Sequence, residues 1–475
     1  MANFWEFSVW SQIMLLGVLL ASLLIANIIK KSFKLLRDSL IPTSVLAGVM
    51  LLIFAEIYKA ITGELFFDSA IFNFRGMADL ETITYHTLAL GFIASSLKTT
   101  GQKLTGKRAT EIFNTGVTTV ATYLLQAVVG FAITLIVALV IPGFFKAAGV
   151  LLPFGYGQGT GQALNYGNIY EVEYGFVGGR SFGLTVAALG FLSASIGGVI
   201  HLNVMKKSGK LVISTRTDGS SQSEEVESAG EIPMQESIDK LTIQIAIIFF
   251  SYILAYVLMY VLGTLLPGMR SVIYGFNFLL GVLSATLVKL FLNFLYKKNV
   301  LKEKWTNNFL MTRASNFFFD IMVVAGIAAI NLGVIEQYWG VLIILGVVGL
   351  IITYVYNRIV AKALFPEYVE EQFLTMYGML TGTASTGIIL LREIDKDFKT
   401  PASDNMVYQN FPAIVFGFPL MFLATFAPEN PPVCMAILVA FFIIMNVILF
   451  RSFIFKGKKK AKLEDVNNQE NNVVD

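Results

Sequence analysis

The feature that most constrains the fold is a succession of long apolar segments along the whole chain. A helix needs roughly 20 mostly apolar residues to cross a bilayer core about 30 Å thick. The 475 residues are 55% hydrophobic and only 14% charged, with a mean hydropathy of +0.69, which is far outside the range of soluble globular chains. We therefore predict an all-α polytopic membrane protein with about eleven spans, near residues 11–29, 41–58, 83–98, 111–142, 180–204, 241–263, 272–296, 315–335, 340–364, 405–426 and 432–452.

The positive charges lie in alternate short loops and indicate how the spans are oriented. Lysine and arginine collect in loops on the cytoplasmic side of a membrane. Here they cluster at 30–37, 98–108, 206–210 and 297–304 and in the C-terminal tail, whereas the loop at 59–82 is mainly acidic. The pattern predicts an N-terminus outside the cell and a cytoplasmic C-terminus. The first apolar segment lacks a basic start and a cleavage site, so we expect it to be retained as a span.

Two segments rich in glycine and threonine, at 144–170 and 367–395, do not fit the pattern of spans. Each contains two apolar pieces of about 11 residues, and a helix of that length rises only about 16 Å. Such a piece is too short to cross the bilayer. We predict that each segment forms a re-entrant helical hairpin, which enters and leaves the membrane on one side.

A long polar stretch divides the chain into two halves. Residues 208–240 are rich in Ser, Glu and Gly, which predicts a flexible cytoplasmic linker between a first repeat at 1–207 and a second at 241–426, each with about five transmembrane helices. Because the first repeat starts outside and the second inside, their topology is predicted to be inverted. Residues 427–452 form an extra C-terminal helix and 453–475 a cytoplasmic tail. Three pairs of glycines hold matching places in the two repeats: Gly48 and Gly281, Gly91 and Gly326, and Gly155 and Gly378.

The tips of the predicted hairpins carry the chemistry of a binding site. At a helix break, amide N–H groups fit an anion, and unpaired carbonyls fit Na⁺. Glycines let a ligand approach the backbone, although close packing of helices also explains small residues. Asp320 is a further candidate, because it is a carboxylate inside a predicted span. The predicted substrate-binding residues are Gln158, Gly159, Thr160, Gly161, Gln162, Thr381, Gly382, Thr383, Ser385 and Thr386, and Na⁺ is expected near Gly155, Thr160, Gly378 and Thr383.

Two stretches of sequence carry a resemblance to a known family. Residues 151–176, LLPFGYGQGTGQALNYGNIYEVEYGF, are similar to a first-hairpin motif, and residues 41–52, IPTSVLAGVMLL, to a second-span motif. Both motifs belong to the bacterial sodium:glutamate symporter family, which the chain resembles from about residue 11 to residue 426. Gln158 stands where that family often has histidine. The positions that match the family's two hairpins are Gly157, Gly159, Thr160 and Gly161 in the first and Gly378, Gly382 and Thr383 in the second.

The resemblance implies Na⁺-coupled uptake of L-glutamate across a bacterial plasma membrane, a homodimer, and an elevator-like movement of the domain that bears the hairpins. The residues alone indicate a secondary transporter of a small anionic solute. The sequence has no P-loop, no HExxH motif and no Cys/His cluster, so we expect neither an enzyme nor a cofactor beyond the coupling ion. The net charge of +3 gives no reason to expect nucleic acid. A Na⁺/H⁺-type antiporter and a passive channel stand as alternatives.

Overall fold

The computed structural model describes residues 3–98, 105–208, 238–395 and 399–454, and this part of the chain is all-helical. Most of the predicted linker and nearly all of the predicted C-terminal tail lie outside the described residues. The helices of the first half are α1 (Phe7–Ser32), α2 (Lys34–Asp38), α3 (Thr43–Thr62), α4 (Gly76–Leu97), α5 (Gly106–Val140), α6 (Leu151–Tyr156), α7 (Thr160–Tyr174) and α8 (Gly179–Lys207). Those of the second half are α9 (Lys240–Leu265), α10 (Arg270–Gly275), α11 (Asn277–Lys297), α12 (Asn308–Ala328), α13 (Leu332–Ile335), α14 (Trp339–Leu364), α15 (Val369–Thr381), α16 (Ala384–Arg392), α17 (Ala402–Tyr408), α18 (Asn410–Phe426) and α19 (Pro431–Leu449).

Within the described residues, nine helical stretches are long and apolar enough to cross a membrane: α1, α3, α5, α8, α9, α11, α12, α13 together with α14, and α19. This confirms the prediction of an all-helical, multi-pass membrane protein. Two of the eleven predicted spans differ. The span at 83–98 lies in α4, which is less apolar chiefly because it contains Asp79, Glu81 and His86. The span at 405–426 is bent by 53° between α17 and α18, where Pro412 has no backbone N–H to continue a helix.

Close contacts between helices α3, α4 and α12 depend on glycines. A methyl group added at Gly48 of α3 would lie 2.7 Å from Ile327 of α12, and one added at Gly91 of α4 would lie 2.7 Å from the ring of Phe319. Both distances are too short for a side chain, so these glycines let the helices approach each other. The helix α12 begins at Asn308, seven residues before the predicted start, because the Asn307 side chain caps it by accepting a hydrogen bond from the Leu310 amide at 2.7 Å.

Two segments of the structure consist of a short helix, a break and a second helix. In the first, the ring of Phe154 in α6 stacks on Tyr166 of α7 with centroids 3.7 Å apart. Phe145, ahead of α6, stacks on Phe176, beyond α7, at 4.5 Å. The two helices therefore run antiparallel, and the chain enters and leaves this segment at the same end, where Phe145 and Phe176 meet.

The second interrupted segment, α15 and α16, has the same arrangement. A methyl group at Gly378 of α15 would lie 2.8 Å from the Cα atom of Gly387 in α16. The N-terminal end of α15 is bound to α14, because Arg358 donates to both carboxylate oxygens of Glu370 at 2.6 and 2.7 Å. His201 of α8 lies 2.8 Å from the same carboxylate.

Candidate functional site

The two interrupted segments meet at their breaks. We call residues 157–159 the first tip and residues 382–383 the second tip. A methyl group built on Gly159 would lie 3.7 Å from the Thr383 Cγ2 atom and 4.0 Å from the Gly382 carbonyl oxygen, so the tips lie within about one methyl group of each other. Between them lies a cavity of about 170 Å³. Its polar side chains are Ser95, Thr119, Tyr123, Gln158, Thr383, Ser385, Gln409 and Asn410, and its largest apolar ones are Phe92, Phe278, Phe319, Met322, Met379 and Met421.

Each tip leads directly into the N-terminus of a helix. The helix α7 starts after the first tip and α16 after the second. The first amide N–H groups of a helix have no partner within it, and this end carries a partial positive charge. One such end, at Ala384 and Ser385 of α16, lines the cavity, and the other, at Thr160 of α7, begins two residues after Gln158, which also lines it. This arrangement favours an anionic group between them.

The backbone of the tips explains two of the predicted site residues. Gly159 has φ +82° and ψ −172°, a conformation that is essentially restricted to glycine. Thr383 caps α16: its hydroxyl accepts from the Thr386 amide at 3.4 Å, and its own amide donates to the Thr386 hydroxyl at 3.4 Å. Thr386 is fully buried. Thr383 and Thr386 thus hold the second tip in shape, while Ser385 lines the cavity.

Two glutamines beside the first tip have buried polar atoms without a partner among the described residues. Gln158 lines the cavity, and its Nε2 atom has no acceptor. Gln162, in the first turn of α7, is 1% exposed, and neither its Nε2 nor its Oε1 atom has a partner. A buried polar group left unpaired costs about 1–3 kcal/mol. A polar ligand in the cavity would therefore be stabilised by Gln158, whereas Gln162 does not line the cavity.

Two predicted site threonines are turned toward neighbouring backbone. The hydroxyl of Thr160 donates to the Met322 carbonyl at 3.3 Å, across the contact between α7 and α12. The hydroxyl of Thr381 donates to the Tyr377 carbonyl of its own helix at 2.6 Å. Both threonines are fully buried, and neither lines the cavity.

Three predicted site glycines lie in tight helix contacts. A methyl group at Gly161 would lie 2.8 Å from Leu88, and one at Gly155 would lie 2.7 Å from Val186. Gly378 lies against the second arm of its own segment, as described above. The structure therefore places these three in packing contacts and brings only Gly159 and Gly382 to the meeting point of the tips.

Asp320 lies deeper in its helix than expected from the predicted span at 315–335, in which it is the sixth residue. Because α12 begins at Asn308, Asp320 follows twelve residues of helix, or about 18 Å at 1.5 Å per residue. Its neighbours Phe319 and Met322 line the cavity, but Asp320 does not. Its side chain is exposed on another side of the helix.

Several residues of the cavity escaped the sequence reasoning. Thr119 and Tyr123 come from α5, while Gln409 and Asn410 come from the junction of α17 and α18. Thr119 donates to the Gln409 Oε1 atom at 2.9 Å, and Tyr123 donates to the Gly157 carbonyl at 3.0 Å. The signal that could have found them is a set of polar side chains inside apolar spans.

Two tyrosines fix the interrupted segments to α8. Tyr156, at the end of α6, lies 2.8 Å from the Ser193 hydroxyl and donates to the Gly346 carbonyl at 2.6 Å. Tyr377 of α15 donates to the Ser193 carbonyl at 2.6 Å. The helices α6 and α15, one from each interrupted segment, are thus both bound to Ser193 of α8.

Charged side chains line a separate cavity. None of the described residues around the tip cavity is charged. A cavity of about 650 Å³, beside α7 and α10, is lined by Arg180, Arg270 and Glu81 among others. Arg180 is held by Glu81 at 3.0 Å. Charge is therefore concentrated outside the tip cavity.

In the part of the chain that the structure describes, no group of three His, Cys, Asp or Glu side chains could hold a metal ion. Comparisons of the sequence with protein-family models and with curated proteins find no match. The function has to be inferred from the residues of the cavity itself.

Proposed function

We propose that the protein is a secondary active transporter that carries a small anionic solute, L-glutamate or a related acid, into the cell together with Na⁺. The observation that carries this proposal is a cavity at which two helix N-termini meet: the first residues of α16 line it, α7 begins two residues after Gln158, and none of the described residues around it is charged. A carboxylate accepts hydrogen bonds from such amides, and the Gln158 amide offers a further donor. The volume of about 170 Å³ equals about six water molecules at about 30 Å³ each, which suits a small solute.

The interrupted segments are, in this proposal, re-entrant hairpins that enter the membrane from opposite sides. Matching contacts support two inverted repeats. Gly48 of α3 packs on Ile327 of α12, and Gly281 of α11 packs on Ile93 of α4, where an added methyl group would lie 3.0 Å away. If the two halves are related by a repeat, α3 corresponds to α11 and α12 corresponds to α4. The contact between α3 and α12 then corresponds to the contact between α11 and α4.

The hairpins would move as one body with α8, because Tyr156 and Tyr377 bind both to that helix. An elevator-like movement of this body would expose the cavity to each side in turn. Following the resemblance to the sodium:glutamate symporters, we further propose a homodimer in a bacterial plasma membrane, with the N-terminus outside and the C-terminus in the cytoplasm.

Uptake by purified protein in liposomes tests the proposal. An imposed inward Na⁺ gradient should drive saturable accumulation of radiolabelled L-glutamate, and an equal K⁺ gradient should not. Unlabelled acidic amino acids and dicarboxylates should compete. Absence of Na⁺-driven uptake of every acidic amino acid and dicarboxylate would refute the proposal.

The same liposomes separate the alternatives. A passive channel gives conductance that does not saturate, and an antiporter moves protons outward in response to Na⁺ without any solute. The cavity offers no carboxylate for proton exchange among its described residues, so we expect neither result.

A further inference from the structure

A second polar cluster lies between α5 and α14, behind the second tip. Its members are Thr122 and Gln126 of α5 and Thr353 and Asn357 of α14. Their exposed fractions are 0% for the first three and 2% for Asn357. All four are neutral, and Gln126 and Asn357 lie one helical turn from the threonine of their own helix. The cluster is therefore a small polar island in the interior.

The orientation of both amides is fixed by backbone carbonyls. The Gln126 Nε2 atom donates to the Leu380 carbonyl and to the Thr353 hydroxyl, each at 2.9 Å. The Asn357 Nδ2 atom donates to the Thr353 carbonyl at 2.9 Å and to the Thr122 hydroxyl at 3.4 Å. A carbonyl only accepts hydrogen bonds, so the amide nitrogens must face these groups. The opposite ends of both side chains are therefore oxygens.

Those two oxygens have no donor. Neither the Gln126 Oε1 atom nor the Asn357 Oδ1 atom has a hydrogen-bond partner among the described residues. All N–H groups of the two amides are used, while both carbonyl oxygens are spare. A set of groups arranged for packing alone would pair donors with acceptors. Unpaired acceptor oxygens at buried positions point to a bound cation.

We propose that the Gln126 and Asn357 side-chain oxygens bind Na⁺, with hydroxyl oxygens of Thr122 and Thr353 nearby. Carbonyl and hydroxyl oxygens are suitable ligands for a hard cation. The set has no carboxylate, so it neutralises no charge, and burying a divalent ion there would be far more costly than burying a monovalent one. The ligand set thus selects a monovalent cation.

The cluster is connected to the tip cavity through one residue. Leu380, which accepts from Gln126, lies two positions before Gly382 of the second tip. An ion at the cluster would fix Gln126 and with it the end of α15. The role of this ion in coupling rests on the proposed function, whereas its binding does not.

Binding of Na⁺ is measured on the purified full-length protein without any solute. Thermal unfolding is followed from 1 to 300 mM NaCl, with choline chloride keeping the ionic strength constant, and binding of ²²Na⁺ is measured in parallel. We expect Na⁺ to raise the melting temperature in a saturable manner. Asn357→Leu and Gln126→Leu should lower the apparent Na⁺ affinity at least about tenfold.

Two further variants keep the test informative. Gln244→Leu removes a buried amide whose oxygen already accepts from the Asn307 amide at 2.9 Å, so it should lower stability but keep the Na⁺ dependence. Asn357→Asp keeps the shape and an oxygen ligand but loses the donor to the Thr353 carbonyl, so it should be less stable without Na⁺ and should gain more stability from Na⁺ than the unmodified protein, because its negative charge favours a cation.

Three outcomes would overturn the inference: no Na⁺-specific stabilisation of the unmodified protein, unchanged Na⁺ affinity in both leucine variants, or equal stabilisation by K⁺. None of these depends on glutamate, so Na⁺-driven uptake with this binding site absent would remove the site and leave the proposed function. Conversely, Na⁺ binding without uptake would remove the function and leave the site.

Discussion

Replacing Gly159 by alanine tests whether the first tip is shaped for a ligand. Its φ of +82° and ψ of −172° belong to a region that costs an alanine about 1–3 kcal/mol. The added methyl group would lie 3.7 Å from Thr383, which is an ordinary contact, so backbone strain alone sets the cost. The tip would relieve this strain by changing its backbone conformation, which would displace the neighbouring Gln158 from the cavity that it lines. Substrate binding would then weaken by about the same 1–3 kcal/mol, or roughly 5- to 150-fold.

The matched control is Gly175→Ala. Gly175 has φ +69° and ψ 24°, and nothing lies within 4 Å of an added methyl group, so its left-handed backbone costs about 1–2 kcal/mol far from the tips. Both variants are compared by thermal unfolding and by the substrate concentration that half-saturates uptake in liposomes. Both should be less stable, but only Gly159→Ala should need more substrate. If the two variants behave alike in uptake, the first tip does not bind substrate.

Three further substitutions separate binding from packing. Gln158→Leu removes the buried donor of the first tip, and should raise the half-saturating substrate concentration about tenfold with normal protein levels in the membrane; unchanged uptake would exclude Gln158 from the site. Tyr377→Phe removes the hydrogen bond to Ser193, and should cost about 1 kcal/mol in thermal unfolding and slow maximal uptake, because α15 is less firmly bound to α8; an unaltered melting temperature would contradict this. Thr160→Val removes the bond to the Met322 carbonyl, and should also cost about 1 kcal/mol but leave Na⁺ affinity unchanged; a loss of Na⁺ affinity would make Thr160 an ion ligand after all.

The apolar segments predicted the helices well because length and hydropathy determine which segments cross a bilayer. Every predicted span contains a helix. The errors lie where local interactions decide. Asn307 starts α12 early through its capping bond, and Pro412 separates α18 from α17. A polar cap inside the protein and a proline at a helix start both leave a window average of hydropathy nearly unchanged.

The sequence identified site residues that are close together in the chain, but not those that the fold brings in from distant segments. The run of glycines and amides identified the first tip, where Gln158 lines the cavity and Gly159 lies close to the second tip. Nothing in that run distinguishes Gly159, which needs its backbone conformation, from Gly161, which needs room for Leu88. Partners from distant elements, such as Gln409, become visible only when the helices are packed, because their spacing to the tips is set by the fold.

The distribution of donors and acceptors gives a physical reason for coupling. Spare amide donors face the cavity at the tips, and spare carbonyl acceptors lie behind the second tip, where Leu380 links Gln126 to Gly382. At an illustrative separation of about 10 Å, opposite unit charges attract by about 1.7 kcal/mol at an effective dielectric constant of about 20, which exceeds the free energy of a tenfold change in affinity. By thermodynamic linkage, the factor by which the bound cation raises the affinity for the anion equals the factor by which the bound anion raises the affinity for the cation. Each ion would therefore bind more weakly alone than with the other, and in the proposed transporter this would favour carrying the two together.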